Sequence, residues 1–180
     1  EGDVQGMCCR LIPTPTGMDP SSQFTLMFEV IMDGDNPLDD ALQIEAYMYK
    51  KYEGDQGLDL SDATAVNFQM RIFSGEGGSV PSAMHLCFKE GDEDEWISIP
   101  MDTSGWDNDN VLDVEVPLTD VNPSDRTNIH YFGIYLPESK VMKATGRQYR
   151  WSDVVLPAHQ YGIAFVFGPF TANMGSPNFT

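Results

Sequence analysis

Positive charge is scarce in this chain. Ten Lys and Arg stand against 28 Asp and Glu, a formal net charge of −18 over 180 residues. A nucleic-acid binder needs a basic face that displaces counterions from phosphate, and an anionic membrane surface makes the same demand. Neither partner fits the balance. Long hydrophobic runs are missing as well. The longest apolar stretches, 24–32 and 161–170, are strand-sized, well short of the roughly 20 residues that span a bilayer.

Cysteine is nearly absent: Cys8, Cys9 and Cys87. Three thiols at these spacings form neither a disulfide framework nor a zinc site, and the adjacent pair would close only a strained bridge. Three free thiols are expected. Catalytic signatures are lacking too. None of His85, His130 and His159 belongs to an HExxH motif, and there is no nucleophile elbow, P-loop or G-x-G-x-x-G. Ser152, Asp153 and His159 are neighbours in sequence, but a triad is defined by geometry. The expectation is a protein that is not an enzyme. No signal-peptide pattern opens the chain, and a start at Glu1 rather than Met is what processing or trimming would leave.

What is present describes a globular β protein. Hydrophobic residues make up 41%, enough for a core, and the length suits one domain. Apolar residues alternate in short runs at 24–32, 65–73, 83–89, 96–101, 111–118, 129–136 and 161–167, with turn chemistry between them. In 65–73, Val66, Phe68, Met70 and Ile72 read inward while Asn67, Gln69 and Arg71 read outward. In 83–89 the core face is Met84, Leu86 and Phe88, with His85 and Cys87 opposite. Residues 42–49 fit strand alternation and helical spacing equally. Their aromatic content and the surrounding strands favour strand, after a short helical turn that Asn36, Pro37 and Asp39 would start. The expected fold is an antiparallel β-sandwich or jelly roll of eight to nine strands, with at most one short helix near residues 37–52. Residues 1–23, broken by Pro13, Pro15, Gly17 and Pro20, read as an extended arm in which Arg10 to Ile12 adds an edge strand. Residues 24–168 form the domain, and 169–180 a tail rich in Gly, Pro and Asn.

Four groups of residues invite a site. The acidic turn holding Asp33, Asp35 and Asp39, joined by Asp107 and Asp109, has the oxygen ligands calcium asks for, but not the EF-hand pattern: Pro37, Leu38 and Ile44 occupy required positions. A solvated turn explains it more simply. The acidic loops EGDEDE at 90–95 and WDNDN at 106–110 read first as charged loops that keep sheet edges from pairing. Exposed aromatics beside such loops are suited to stack on sugar rings. Trp96, Trp106 and Trp151 qualify, with Trp106 and Trp151 the chosen pair, and Tyr47, Tyr49, Tyr131 and Tyr135 recur at strand spacing. Tryptophan is nevertheless more often core than platform.

The fourth group is basic. Between Arg126 and Ser152 five cations, Arg126, Lys140, Lys143, Arg147 and Arg150, meet one acid, Glu138. That is a net +4, which leaves −22 for the rest of a −18 chain. Such asymmetry suits contact between copies, with Lys140, Lys143, Arg147 and Arg150 as the interface, or an internal salt network.

Two function classes follow. The first is a non-enzymatic, externally exposed structural domain that self-assembles, of the virion coat, spike or decoration type. Its partners would be further copies or neighbouring coat subunits, at a virion surface or elsewhere outside the cell. The second is a secreted carbohydrate-binding β-sandwich module with glycan as partner. Neither requires a cofactor, although calcium would suit the acidic turns of the second.

Overall fold

The computed structural model describes residues 4–19, 24–33, 42–73, 81, 83–107, 110–141, 150–151, 154–155 and 160–174 of the 180. Twelve strands run through them: β1 (Val4–Pro13), β2 (Phe24–Asp33), β3 (Leu42–Lys51), β4 (Ala63–Phe73), β5 (His85–Lys89), β6 (Ile97–Pro100), β7 (Val111–Pro117), β8 (Tyr131–Val141), β9 (Arg150–Trp151), β10 (Val154–Val155), β11 (Gln160–Phe167) and β12 (Thr171–Met174). The one helical element among them is a 3-10 turn, Pro123–Arg126.

The fold is all-β with two main antiparallel sheets, as the alternation predicts. In the larger sheet β1, β2, β11 and β4 lie side by side. β4 pairs with β7 over residues 65–71, so β11, at 70–73, and β12, at 63–67, must share its other edge in succession. The break between those two falls at Gly168 and Pro169, and the Gly168 amide still donates to the Gln69 carbonyl at 2.8 Å. The smaller sheet runs β3, β8, β5, β6. β9 and β10 pair only with each other among the described residues.

The core lies between the sheets. From the larger come Val66, Phe68, Met70, Ile72, Val114, Val116, Phe165 and Phe167; from the smaller, Met48, Leu86, Phe88, Phe132, Ile134 and Leu136. Each fully buried Phe, Ile or Leu contributes about 1.5–3 kcal/mol, and two-residue periodicity puts them on one face of each strand. Asp113 and Glu115 point to solvent from β7, as their positions in the alternation require.

Residues 42–51 are strand, as favoured for 42–49, and no helix forms over that part of 37–52. Nine of its ten residues pair with β8, with a register shift between Ile44 and Ala46, and the alternation of Ala46 and Met48 against Tyr47 and Tyr49 matches the pleat. Residues 34–41, where the helical turn was expected, lie outside the described residues. Within residues 1–23, β1 pairs with β2 along its whole length. Residues 171–174, assigned to the tail, pair with β4.

Two contacts hold the loops that flank β4 and β8. Leu58 and Ile129 exchange backbone hydrogen bonds of 2.8 and 2.9 Å, and Gly57 donates to Asn128 Oδ1 at 2.8 Å. Arg126 is buried beside them. Its Nη1 donates to the carbonyls of Ala63 (2.7 Å) and Leu60 (3.1 Å), and its Nε to that of Asn122 (3.4 Å).

Candidate functional site

The outer face of the smaller sheet is where the structure departs from an ordinary acidic surface. Strand alternation brings Tyr47, Tyr49 and Lys51 of β3, Tyr131, Gly133 and Tyr135 of β8, and His85, Cys87 and Lys89 of β5 to that one face. The register places Tyr47 opposite Tyr135, Tyr49 opposite Gly133, and Lys51 and Lys89 on either side of Tyr131. Trp96, just before β6, joins from the far edge. Its ring centroid lies 4.8 Å from that of Tyr47, 5.5 Å from Tyr49 and 6.1 Å from Tyr131. Tyr47 also stacks on Tyr135 at 4.3 Å with 15° between planes, and Tyr49 meets Tyr131 edge-on at 5.5 Å.

These rings form two tiers. Tyr131 is buried, and Tyr135 and Trp96 are half-buried. Tyr47 and Tyr49 are 37% and 48% exposed and present ring surface to solvent. Offset-stacked and edge-on pairs are the geometries the aromatic quadrupole favours, each adding about 0.5–1.5 kcal/mol. The lower tier therefore fixes the upper one before any ligand arrives. Cys87 faces outward yet is fully buried, so the aromatic face roofs this part of the sheet. Burial pushes its thiol up to about 12, which leaves no thiolate at neutral pH.

Polar groups line one end. Lys89 Nζ stands 4.9 Å from the Tyr131 centroid and 5.4 Å from that of Trp96, and it donates to the Asp92 carbonyl at 2.6 Å. Lys51 Nζ stands 5.1 Å from the Tyr131 centroid and pairs with Asp92 Oδ1 at 3.4 Å. Both lysines thus tie the acidic loop 90–95 to the aromatic rings. Within that loop, Gly91 N donates to Asp94 Oδ2 at 2.7 Å. The Lys51–Asp92 pair is well exposed, so its worth is positional more than energetic.

His85 closes the other end, with its ring perpendicular to Tyr135 at 5.7 Å. Its buried Nδ1 has no hydrogen-bond partner among the described residues, and burial lowers its pKa from the ordinary 6.5. A lowered histidine pKa means that the unfolded chain takes up the proton first. Stability from neutral His85 is therefore complete above about pH 6.5 and falls as pH drops through that value towards the folded pKa. Melting temperatures of the wild type and His85→Phe, taken from pH 7.5 to 5, should diverge in favour of the variant on the acidic side. A gap independent of pH would mean that His85 titrates alike in both states.

Trp106 is partly buried and packs against the core, with its amide closing a turn onto the Thr103 carbonyl. Trp151 lies in β9, Lys140 at the end of β8 and Arg150 beside Trp151, but the described residues do not include their side chains. Lys143 and Arg147 lie outside the described residues altogether, as do Asp35, Asp39 and Asp109. Asp33 ends β2, and exposed Asp107 accepts a hydrogen bond of 3.4 Å from Asn110 Nδ2. Among the described residues no three His, Cys, Asp or Glu come together as a metal site would need. Arg126, counted with the basic segment, is buried in a cage of carbonyls and adds nothing to a surface. Lys51 and Lys89 were missed. The signal for them was the run Tyr47, Tyr49, Lys51 at strand spacing.

No family model matches the chain, and no curated protein matches it. A solved structure described as "Structural basis for the promiscuous specificity of the carbohydrate-binding modules from the beta-sandwich super family" is similar over 92% of this chain and 53% of its own, so this chain spans about half its length. Identity is 13% and the TM-score 0.47. A likeness that distant carries no functional argument, and the reading of the site rests on its own geometry.

Proposed function

We propose that the outer face of the smaller sheet binds carbohydrate and that the protein is a non-catalytic recognition module. The observation that carries this is the two-tiered group of rings, with Tyr47 and Tyr49 presented on Trp96, Tyr131 and Tyr135. A pyranose offers a face of C–H bonds to an aromatic ring and a rim of hydroxyls to polar neighbours. The exposed faces of Tyr47 and Tyr49 supply the first contact at little entropic cost, because tyrosine has few rotatable bonds and these rings are already packed. Lys51, Lys89 and the carboxylates of loop 90–95 supply donors and acceptors for the second, directly or through water. A contiguous aromatic patch on an otherwise acidic surface is what a binding site looks like in a soluble protein. Glycans displayed outside cells are the natural ligands of such a face, in keeping with the expected extracellular setting.

Calorimetry or affinity electrophoresis against neutral, amino-, uronic and sulfated oligosaccharides tests the proposal. Tyr49→Ala should weaken the best ligand about fivefold, since one stacked ring is worth about 1 kcal/mol and 1.4 kcal/mol is a factor of ten. Tyr47→Ala with Tyr49→Ala should weaken it about thirtyfold if the two rings add, and Trp106→Ala should leave affinity within about twofold. Silence across the whole panel, or a double variant that binds like the wild type, would sink the idea.

A further inference from the structure

A second feature lies between the sheets. Where β3 ends and β12 begins, a cavity of about 280 Å³ reaches into the sandwich. Its walls include Met48, Leu60, Phe132, Phe167, Phe170 and Ala172. Phe170 is a rigid part of that wall, 4.5 Å from Phe68 and edge-on to Phe132 at 5.3 Å. Protein interiors are normally filled to crystal density, and apolar cavities do not hold water well. The volume lies near the lower end of the ~300–1,000 Å³ common for small-ligand sites. One short chain suits it, and a bilayer-length lipid does not.

The polar groups of the cavity are few and of one kind. Lys50 continues the inward row of Ala46 and Met48, so its exposed side chain stands at the rim of the core and not on the outer face. Its Nζ lies 4.6 Å from the centroid of the Tyr52 ring. Among the described residues no carboxylate pairs with it, in a chain of 28 Asp and Glu. The Tyr52 phenol, whose pKa burial raises from the ordinary 10, is a hydrogen-bond donor at neutral pH like any tyrosine. Thr171 adds a hydroxyl. An inward lysine also discourages strand addition at an edge, but that role needs neither a cavity behind it nor the lack of an acid beside it.

We propose that this cavity binds a single-chain amphiphile with an anionic head, a medium-chain alkyl carboxylate, with the chain between the sheets and the carboxylate on Lys50. The apolar walls take the chain, and the unpaired ammonium, with donors beside it, takes the head. The cavity shares Tyr49 and Gly133 with the strands that carry the aromatic face, but Lys50, Tyr52 and Thr171, which would hold the head group, are not part of that face.

Titration calorimetry of the full chain with decanoate, decanol and decyltrimethylammonium, each below its micellar concentration, tests the proposal. Decanoate should bind about tenfold more tightly than decanol, with the cation weakest. Lys50→Met, a change at an exposed position, should bring decanoate down to the level of decanol. Ala172→Trp, which fills the cavity, should abolish binding of both. The proposal is overturned if decanoate does not bind the wild type, if the cation binds as well as the carboxylate, or if Lys50→Met keeps the head-group preference. Undiminished decanoate binding by Ala172→Trp overturns it too.

Discussion

Gly133→Ala should separate β3 from β8 and dismantle the aromatic face with it. A Cβ built on Gly133 falls onto the Met48 carbonyl oxygen, 2.6 Å from Tyr49 Cα and 2.9 Å from the Met48 carbonyl carbon. All three are backbone atoms of the paired strand, so no side chain can swing aside. The demand is for space and not for a left-handed backbone, since the positive-φ glycines among the described residues are Gly17, Gly54 and Gly105. β3 must retreat, and the ladder hydrogen bonds around Tyr49 and Gly133 stretch as it does. Overpacking costs about 1–3 kcal/mol and each weakened ladder bond about 0.5–1.5 kcal/mol. A loss of about 3–4 kcal/mol follows, or roughly a 10 °C fall in Tm for a domain of this size. Near-UV circular dichroism should fall as well, because Tyr47 and Tyr49 ride on β3 and would leave Trp96 and Tyr135. Urea unfolding followed at aromatic wavelengths reads both effects. A variant with wild-type stability and an intact aromatic signal would show that the strand approach has slack that the geometry does not reveal.

Gly133 also marks the limit of what the sequence reveals. Alternation alone identifies the inward rows of β4 and β7 and the outward His85 and Cys87, because each is a property of one strand. Tyr47, Tyr49, Tyr131 and Tyr135 are visible in the same way as pairs at strand spacing. That the pairs lie side by side depends on the pairing of β3 with β8, across a separation of more than 80 residues, which no local pattern encodes. Trp96 is the sharper case. Its reach back to Tyr47 depends on loop 90–95 being held by Lys89 and Lys51, and without that contact Trp106, equally aromatic and beside an equally acidic loop, looks as good. Trp106 instead packs, partly buried, against the core. Sequence alone also gives no sign of the cavity beside Lys50. A cavity is a mismatch between two sheets, and each strand lining it looks normal by itself.

Charge counting fails most plainly at Arg126, and the second large effect is expected there. Arg126 reads as the first cation of a basic segment, yet it is 4% exposed and has three backbone carbonyls as partners. A buried cation is tolerable only when its donors are satisfied, and a guanidinium can reach Leu60, Ala63 and Asn122 together because its donors are spread over a planar fork. Those partners are the turn before β4 with that strand's first residue, and the turn before β8, so the side chain fastens the segments that lead into both strands. The Arg126 carbonyl adds to the same clasp by accepting from Leu60 N at 2.8 Å. Arg126→Ala removes a side chain from a packed site and leaves buried carbonyls short of donors, at about 1–3 kcal/mol for each group left unsatisfied. A total near 4 kcal/mol is expected, again about 10 °C in Tm. Arg126→Met keeps the apolar stem without the donors and should recover the packing share alone. Arg126→Lys keeps a donor but not the fork, and should lie between Met and the wild type. Thermal unfolding of the three variants orders them. Should Met match the wild type, the carbonyls would not need the guanidinium, and its burial would be a matter of volume. With Ala lowest, then Met, then Lys, hydrogen bonding to those carbonyls is what keeps a scarce positive charge inside this acidic protein.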